Sequence, residues 1–247
     1  MWIPRWLGEI YSKLLLRFET APFTFAQAKE TLDVDPKKLS VAFSKLHSER
    51  ILTIFERSRP RVYRLLDPFT FILAASETVK DIEKLRQERY LPLILQSFHK
   101  ASKMFSIRSF AVYGSVARGT AKTDSDIDIL VVSEDFEGSM GERIEQLLKV
   151  EYAVQGEIGR LREHGIHTGL SFYPLKPEEA ERLPDLFLDL TEDAVILYDE
   201  GRLLERILLE LKAKLLRQGA VRVFIDQDRW YWDLRPGYKF GEIVEIP

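Results

Sequence analysis

Residues 112–132 read Val112-Tyr-Gly-Ser-Val-Ala-Arg-Gly-Thr-Ala-Lys-Thr-Asp-Ser-Asp-Ile-Asp-Ile-Leu-Val-Val132. The pattern is strand, Gly-Ser turn, short helix, loop, second strand. Phe110 to Tyr113 is apolar enough for a buried strand, and Gly114-Ser115 makes a sharp turn where backbone can approach a ligand. Ser115 is expected at a helix start, where free N–H groups and a hydroxyl can hold phosphate oxygens. Asp126 and Asp128 are two apart in an extended run, so their carboxylates share one face while Ile127 and Ile129 enter a core. Carboxylates held side by side repel, and a divalent cation relieves the repulsion. Mg²⁺ takes one or two carboxylates, substrate phosphates and water. A phosphate cradle beside a carboxylate pair suits phosphoryl-type transfer, which depends on positioning and charge neutralisation.

Gly114-Ser115, ten residues, then Asp126-Ile-Asp128-Ile resembles the signature of the DNA polymerase beta-like nucleotidyltransferase superfamily, nearest its minimal prokaryotic members. The resemblance implies an α/β domain with a mixed sheet, in which Gly114 and Ser115 bind the phosphates of ATP or another nucleoside triphosphate. It implies that Asp126 and Asp128 are the catalytic, Mg²⁺-holding residues. Arg118, one short helical turn beyond Ser115, is a candidate bidentate clamp on the triphosphate.

The 247 residues suffice for one large or two modest domains, and 45% hydrophobic content supplies real cores. No apolar run reaches membrane-helix length, and no signal-peptide core follows Met1, so no membrane partner is expected. Zero cysteines exclude disulfides, thiolate zinc sites and cysteine nucleophiles, and the expected location is cytoplasmic. Charge is uneven: residues 1–66 hold twelve Lys/Arg against seven Asp/Glu, a balance of +5, and the remainder carries −8. A basic head on an acidic body suggests a polyanion-binding module.

Within residues 1–67, Trp6, Ile10, Leu14 and Phe18 predict one helix. Thr24 caps a second, and Asp35-Pro36 opens a third whose buried face is Leu39, Ala42, Phe43 and Leu46. Two β-like runs follow, Ile51 to Glu56 and Arg61 to Leu66. Three helices and a basic hairpin resemble a winged helix-turn-helix domain. The resemblance places Lys37, Lys38, Ser40, Ser44 and Lys45 toward a DNA major groove, and Arg57, Arg59 and Arg61 against phosphates. The alternative is the same module used for protein docking or dimerisation.

Residues 68–104 are expected to form a helical connector, with one run to Tyr90 and another from Leu91, and to be a candidate homodimer helix. Residues 105–247 form the transferase-like domain. They include a helix from Ser139 to about Glu163, with Ile144, Leu147, Leu148, Tyr152 and Ile158 inward, and a strand over Ile166 to Pro174. A C-terminal helix and a hairpin around Asp226-Gln227-Asp228 end the chain, with Trp230 and Trp232 on one face, packing on the last helix. His164 and His167 lack a third zinc ligand.

The expected class is therefore α+β: winged helix-turn-helix, helical connector, nucleotidyltransferase-like domain. The implied activity is transfer of a nucleoside monophosphate to a protein side chain, an RNA end or a small molecule. The alternative is a DNA-binding transcriptional regulator whose second domain only binds nucleotide or scaffolds a dimer. Active members of the superfamily carry a third carboxylate on a later strand. Residues 166–173 contain none, which predicts one well-held metal, a weak second site and slow transfer.

Overall fold

The computed structural model describes residues 3–226 and 229–237. The turn residues Gln227 and Asp228 of the expected C-terminal hairpin lie outside them.

Cap chemistry starts the N-terminal helices. Helix α1 (Arg5–Phe18) buries Leu7, Ile10, Tyr11 and Leu14. Trp6 and Phe18, at the same helical spacing as Ile10 and Leu14, are partly buried against this core. The two-residue β1 (Phe23–Thr24) runs into α2 (Phe25–Thr31), opened by a reciprocal Thr24–Gln27 capping box. Asp35 accepts from the Lys38 N–H at 2.9 Å and Pro36 stands at the first turn of α3 (Pro36–Ser48), which buries Leu39, Ala42, Phe43 and Leu46. Strands β2 (Leu52–Glu56) and β3 (Val62–Leu65) complete an antiparallel sheet in the order β1-β3-β2.

After α4 (Pro68–Ala75) the expected long helix is absent. Residues 76–90 are irregular, with 3₁₀ turns at Ile82–Lys84 and Glu88–Tyr90. The Ser76 hydroxyl donates to the Leu73 carbonyl at 2.8 Å, and the Lys80 N–H donates to the Leu197 carbonyl, which draws the chain onto the sheet. Val79 and Leu85 are buried as the apolar spacing required, but without a helix. Their burial satisfies the pattern from an irregular backbone because Glu77 and Asp81 adopt positive φ.

The second half supplies α5 (Leu91–Met104), β4 (Ile107–Tyr113), α6 (Gly114–Arg118), β5 (Ile127–Ser133), α7 (Met140–Ala153), α8 (Gln155–Glu163) and β6 (Leu170–Leu175). There follow α9 (Pro177–Ala180), α10 (Leu186–Asp193), β7 (Val195–Asp199), α11 (Leu203–Gln218), β8 (Val221–Phe224) and β9 (Trp230–Asp233). The sheet order is β6-β5-β4-β7, with β4 antiparallel to both neighbours and β5 parallel to β6, hence mixed. Alternation along β5 divides the cores. Ile127, Ile129 and Val131 join α5, α7 and α8, while Leu130 and Val132 join α10 and α11. No helix of the described residues is long and apolar enough to cross a membrane.

Two further expectations are corrected. The helix from Ser139 breaks at Val154 (φ −113°, ψ 11°), just before Gly156, a poor helix former. The break presents Glu157 of α8 to Arg64 of β3, in a bidentate pair buried from solvent on both sides. Strand β6 starts at Leu170, not Ile166, because the His167 N–H is tied to the Thr123 carbonyl at 2.6 Å.

Candidate active site

Backbone register brings the turn and the carboxylates together. Tyr113, the last residue of β4, pairs with Asp128 across the sheet, so the turn after it overlies the Asp128 side chain. Gly114 has φ +68°, and a Cβ there would stand 2.2 Å from Asp128 Oδ2. Any side chain would therefore collide with the carboxylate as well as strain the backbone. Ser115 is the second residue of α6, at the helix start as expected, and the residue before the helix is Tyr113.

Asp128 is half-buried. Ser171 lies beside it in the parallel β5–β6 register and hydrogen-bonds it. Burial holds the Asp128 carboxyl above the usual carboxylate range; the Ser171 hydroxyl opposes this, the Asp126 charge adds to it and Arg118 opposes it. Asp126 is exposed, one residue before β5, and its Oδ1 accepts from the Gly169 N–H at 3.0 Å. The two carboxylates thus sense each other across a site lined with hard oxygen donors. That donor set fits a hard divalent cation that keeps water and takes its remaining ligands from phosphate.

On β6 the residue paired with Asp128 is Ser171, not a carboxylate. Of the expected face His167, Gly169 and Ser171, only Ser171 lies on β6. The third carboxylate near the pair comes from a helix instead. Glu151 of α7 places Oε1 3.8 Å, and Asp126 Oδ1 3.2 Å, from the point a Gly169 Cβ would occupy. Burial and then the Asp126 charge raise the Glu151 carboxyl, while the Leu170 N–H, hydrogen-bonded to it, pulls the other way. Glu151 does not complete a ligand cage: among the described residues no three His, Asp or Glu gather closely enough to hold an ion. Its sequence signal is a charge four residues after buried Leu147. Tyr152, expected inward, is 72% exposed instead, since α7 is rotated by about one residue from the expected face.

Arg118 ends α6 near Asp128, but its guanidinium is already engaged, 3.2 Å from Asp193 of α10 and 4.6 Å from the Trp230 ring centroid. Arg222 also binds Asp193, at 2.8 Å, and stacks on Trp230. Both indole N–H groups, of Trp230 and Trp232, donate to Asp189 Oδ1 at 2.7 and 2.9 Å. The hairpin's indoles are thereby anchored on α10 and not solely on the last helix, because Asp189 offers the acceptor they need.

In the N-terminal unit, Lys37, Lys38, Ser40, Ser44 and Lys45 are all exposed on α3. The ammonium groups of Lys38 and Lys45 lie 6.0 and 5.7 Å from the Trp6 ring centroid. Arg59 and Arg61 are exposed, whereas Arg57 turns back and donates to the Arg86 carbonyl at 3.3 Å.

Residues 93–182, from within α5 to just past α9, match the family model of the nucleotidyltransferase domain. This span is a little over a third of the chain and contains the turn, both Asp residues, Glu151 and Ser171. Among solved structures, one chain described as "Crystal structure of the toxin-antitoxin with AMP-PNP" aligns at 12% identity and a TM-score of 0.31. The alignment covers 51% of this chain and 92% of that one. No curated protein matches.

Proposed function

We propose that this chain is a nucleotidyltransferase that moves a nucleoside monophosphate from a triphosphate to an acceptor hydroxyl or comparable nucleophile and releases pyrophosphate. The observation that carries this is the contact of the Gly114 turn with the Asp128 carboxylate, which makes phosphate cradle and carboxylate pair one site. The family match over residues 93–182 supports it. Asp126 and Asp128 would hold Mg²⁺, and Ser171 would orient Asp128. The cation, when bound, supplies charge neutralisation on the phosphates. Gly114 and Ser115 present backbone N–H groups to the triphosphate, and Arg118 adds positive charge at the far end of α6. Glu151, with its raised carboxyl, takes the acceptor's proton.

Incubation with α-phosphate-labelled ATP, GTP, CTP or UTP, Mg²⁺ or Mn²⁺ and a panel of protein, RNA and small-molecule acceptors tests the activity. Label transfer that depends on metal and on Asp128 is the expected result; binding of Mg²⁺-ATP without any transfer would leave the sensor reading instead. That second reading, a DNA-binding regulator that senses nucleotide, is favoured by Ser171 standing where β6 could have supplied a third anionic ligand. Glu151→Gln separates the two. On the order of 100-fold slower transfer with unchanged Mg²⁺-ATP affinity marks a proton acceptor, whereas unaltered turnover removes Glu151 from the mechanism.

For residues 1–67 we propose a winged helix-turn-helix that binds duplex DNA through α3 and the β2–β3 hairpin. The exposed lysines of α3 and the +5 balance of residues 1–66 support this. Reversing Lys37, Lys38 and Lys45 to Glu in the full chain should weaken duplex binding on the order of tenfold or more and flatten its salt dependence. Equal anisotropy titrations for both proteins would point to a docking module.

A further inference from the structure

The 76–90 segment, β2 and the end of α6 border an open cavity of about 430 Å³. Ile54 and Phe55, both largely buried, form its apolar wall, and four arginines line it: Arg57, Arg86, Arg89 and Arg118. None of Gly114, Ser115, Asp126 or Asp128 does. The cavity lies at the opposite end of α6 from the carboxylates, and five residues of helix span about 7 Å.

The charges in this cavity do not cancel. Glu88 lines it, but its buried carboxylate is taken up by Arg50, by His47 at 3.1 Å and by the Ile54 N–H at 2.7 Å. Glu56 is exposed at the rim. Arg118 is paired with Asp193. Arg57, Arg86 and Arg89 have no carboxylate partner among the described residues. Arg57 and Arg86 donate to the main-chain carbonyls of Arg86 and Arg118, at 3.3 and 3.4 Å, and leave most of their donors unused. The Nε of Arg89 is buried and has no hydrogen-bond partner. The Arg89 guanidinium lies 5.0 Å from the Tyr90 ring centroid, and its buried Nε, a donor without an acceptor, is costly to leave unpaired.

We infer that this cavity is a binding site for a phosphorylated small molecule of nucleotide size, whose phosphate is held by Arg57, Arg86 and Arg89. Planar guanidinium forks match phosphate oxygens, and the volume lies within the range of small-molecule sites. The Ile54–Phe55 wall takes the rest of the ligand. Arg57 comes from the N-terminal unit and Arg86 and Arg89 from the segment that follows it, so a bound phosphate ties the two together.

Arginines need no cation to bind phosphate, so calorimetry on the full chain in chelator removes the metal-dependent part of binding, and the arginine variants assign what remains to this cavity. AMP and inorganic pyrophosphate should bind and adenosine should not. Arg86→Ala/Arg89→Ala should weaken AMP and pyrophosphate on the order of tenfold or more. Arg86 packs on Gly119, so Arg57→Ala, at an exposed position, is the second variant; it should weaken binding without lowering the melting temperature. Failure of AMP and pyrophosphate to bind at millimolar concentration, adenosine binding as well as AMP, or wild-type affinity in the arginine variants would each overturn the assignment. Mg²⁺-ATP binding at Asp126 and Asp128 is scored separately, so the transferase proposal can fail without affecting this result.

Discussion

Asp128→Asn is expected to reduce label transfer by about 10³-fold or more, the equivalent of several kcal/mol of lost charge stabilisation. Asp126→Asn should behave in the same direction, because in the proposed site the two carboxylates would hold one cation. The size of the loss follows from the geometry. Asp128 is pressed against the Gly114 turn, and an amide there keeps the shape but removes the negative charge. A second readout carries the opposite sign. Burial raises the Asp128 carboxyl in the folded protein, so the fold binds this proton more tightly than the unfolded chain does. That contribution is present at low pH and is lost as pH rises from the ordinary Asp range through the raised folded value. Above that window the group contributes less stability than it does in acid, so Asp128→Asn in chelator, which keeps the shape without the charge, should melt at a higher temperature than wild type. Lost transfer together with a raised melting temperature identifies a functional carboxylate kept at the expense of stability. A variant that transfers label at the wild-type rate would remove the site from consideration.

Glu157→Ala should destabilise the protein by about 3–5 kcal/mol in urea unfolding, the usual effect of leaving one half of a buried ion pair uncompensated. The Arg64 and Glu157 side chains are 3% and 0% exposed, and the pair is bidentate, with Nη2 to Oε2 at 2.8 Å. Arg64 also donates to the Thr20 carbonyl at 2.7 Å, so its guanidinium is fixed on both sides. Replacing both residues together, as in Arg64→Met/Glu157→Leu, should recover most of the loss, because desolvation of the two charges roughly offsets their attraction. A Glu157→Ala change below about 1 kcal/mol, the level of surface pairs, would mean that water reaches Arg64 in solution. In proteins of this size a loss of 3–5 kcal/mol is a large share of total stability, and the pair joins β3 to α8 across 93 residues of chain.

Local chemistry alone determined much of this protein. The helix caps at Thr24, Asp35 and Ser139 and the buried face of α3 depend on residues within one turn of each other, where sequence spacing is spatial spacing. The Gly114 turn and the alternation of Asp126 and Asp128 with Ile127 and Ile129 are equally local, and strand pleating carries them to opposite faces. Tertiary structure decided the rest. Segment 76–90 has helical apolar spacing, yet a hydrogen bond from Lys80 to Leu197 holds it against the sheet, and burial is satisfied without a helix. Glu151 reaches Asp126, Ser171 meets Asp128 and Arg118 meets Asp193 only because strand register and helix packing bring distant segments together. The arginine cavity likewise needs β2, the 76–90 segment and α6 at once. Periodicity reports which face of an element is apolar. It carries no information about which element that face will meet, since burial is non-directional and partner choice is settled by the shape and charge of the whole chain.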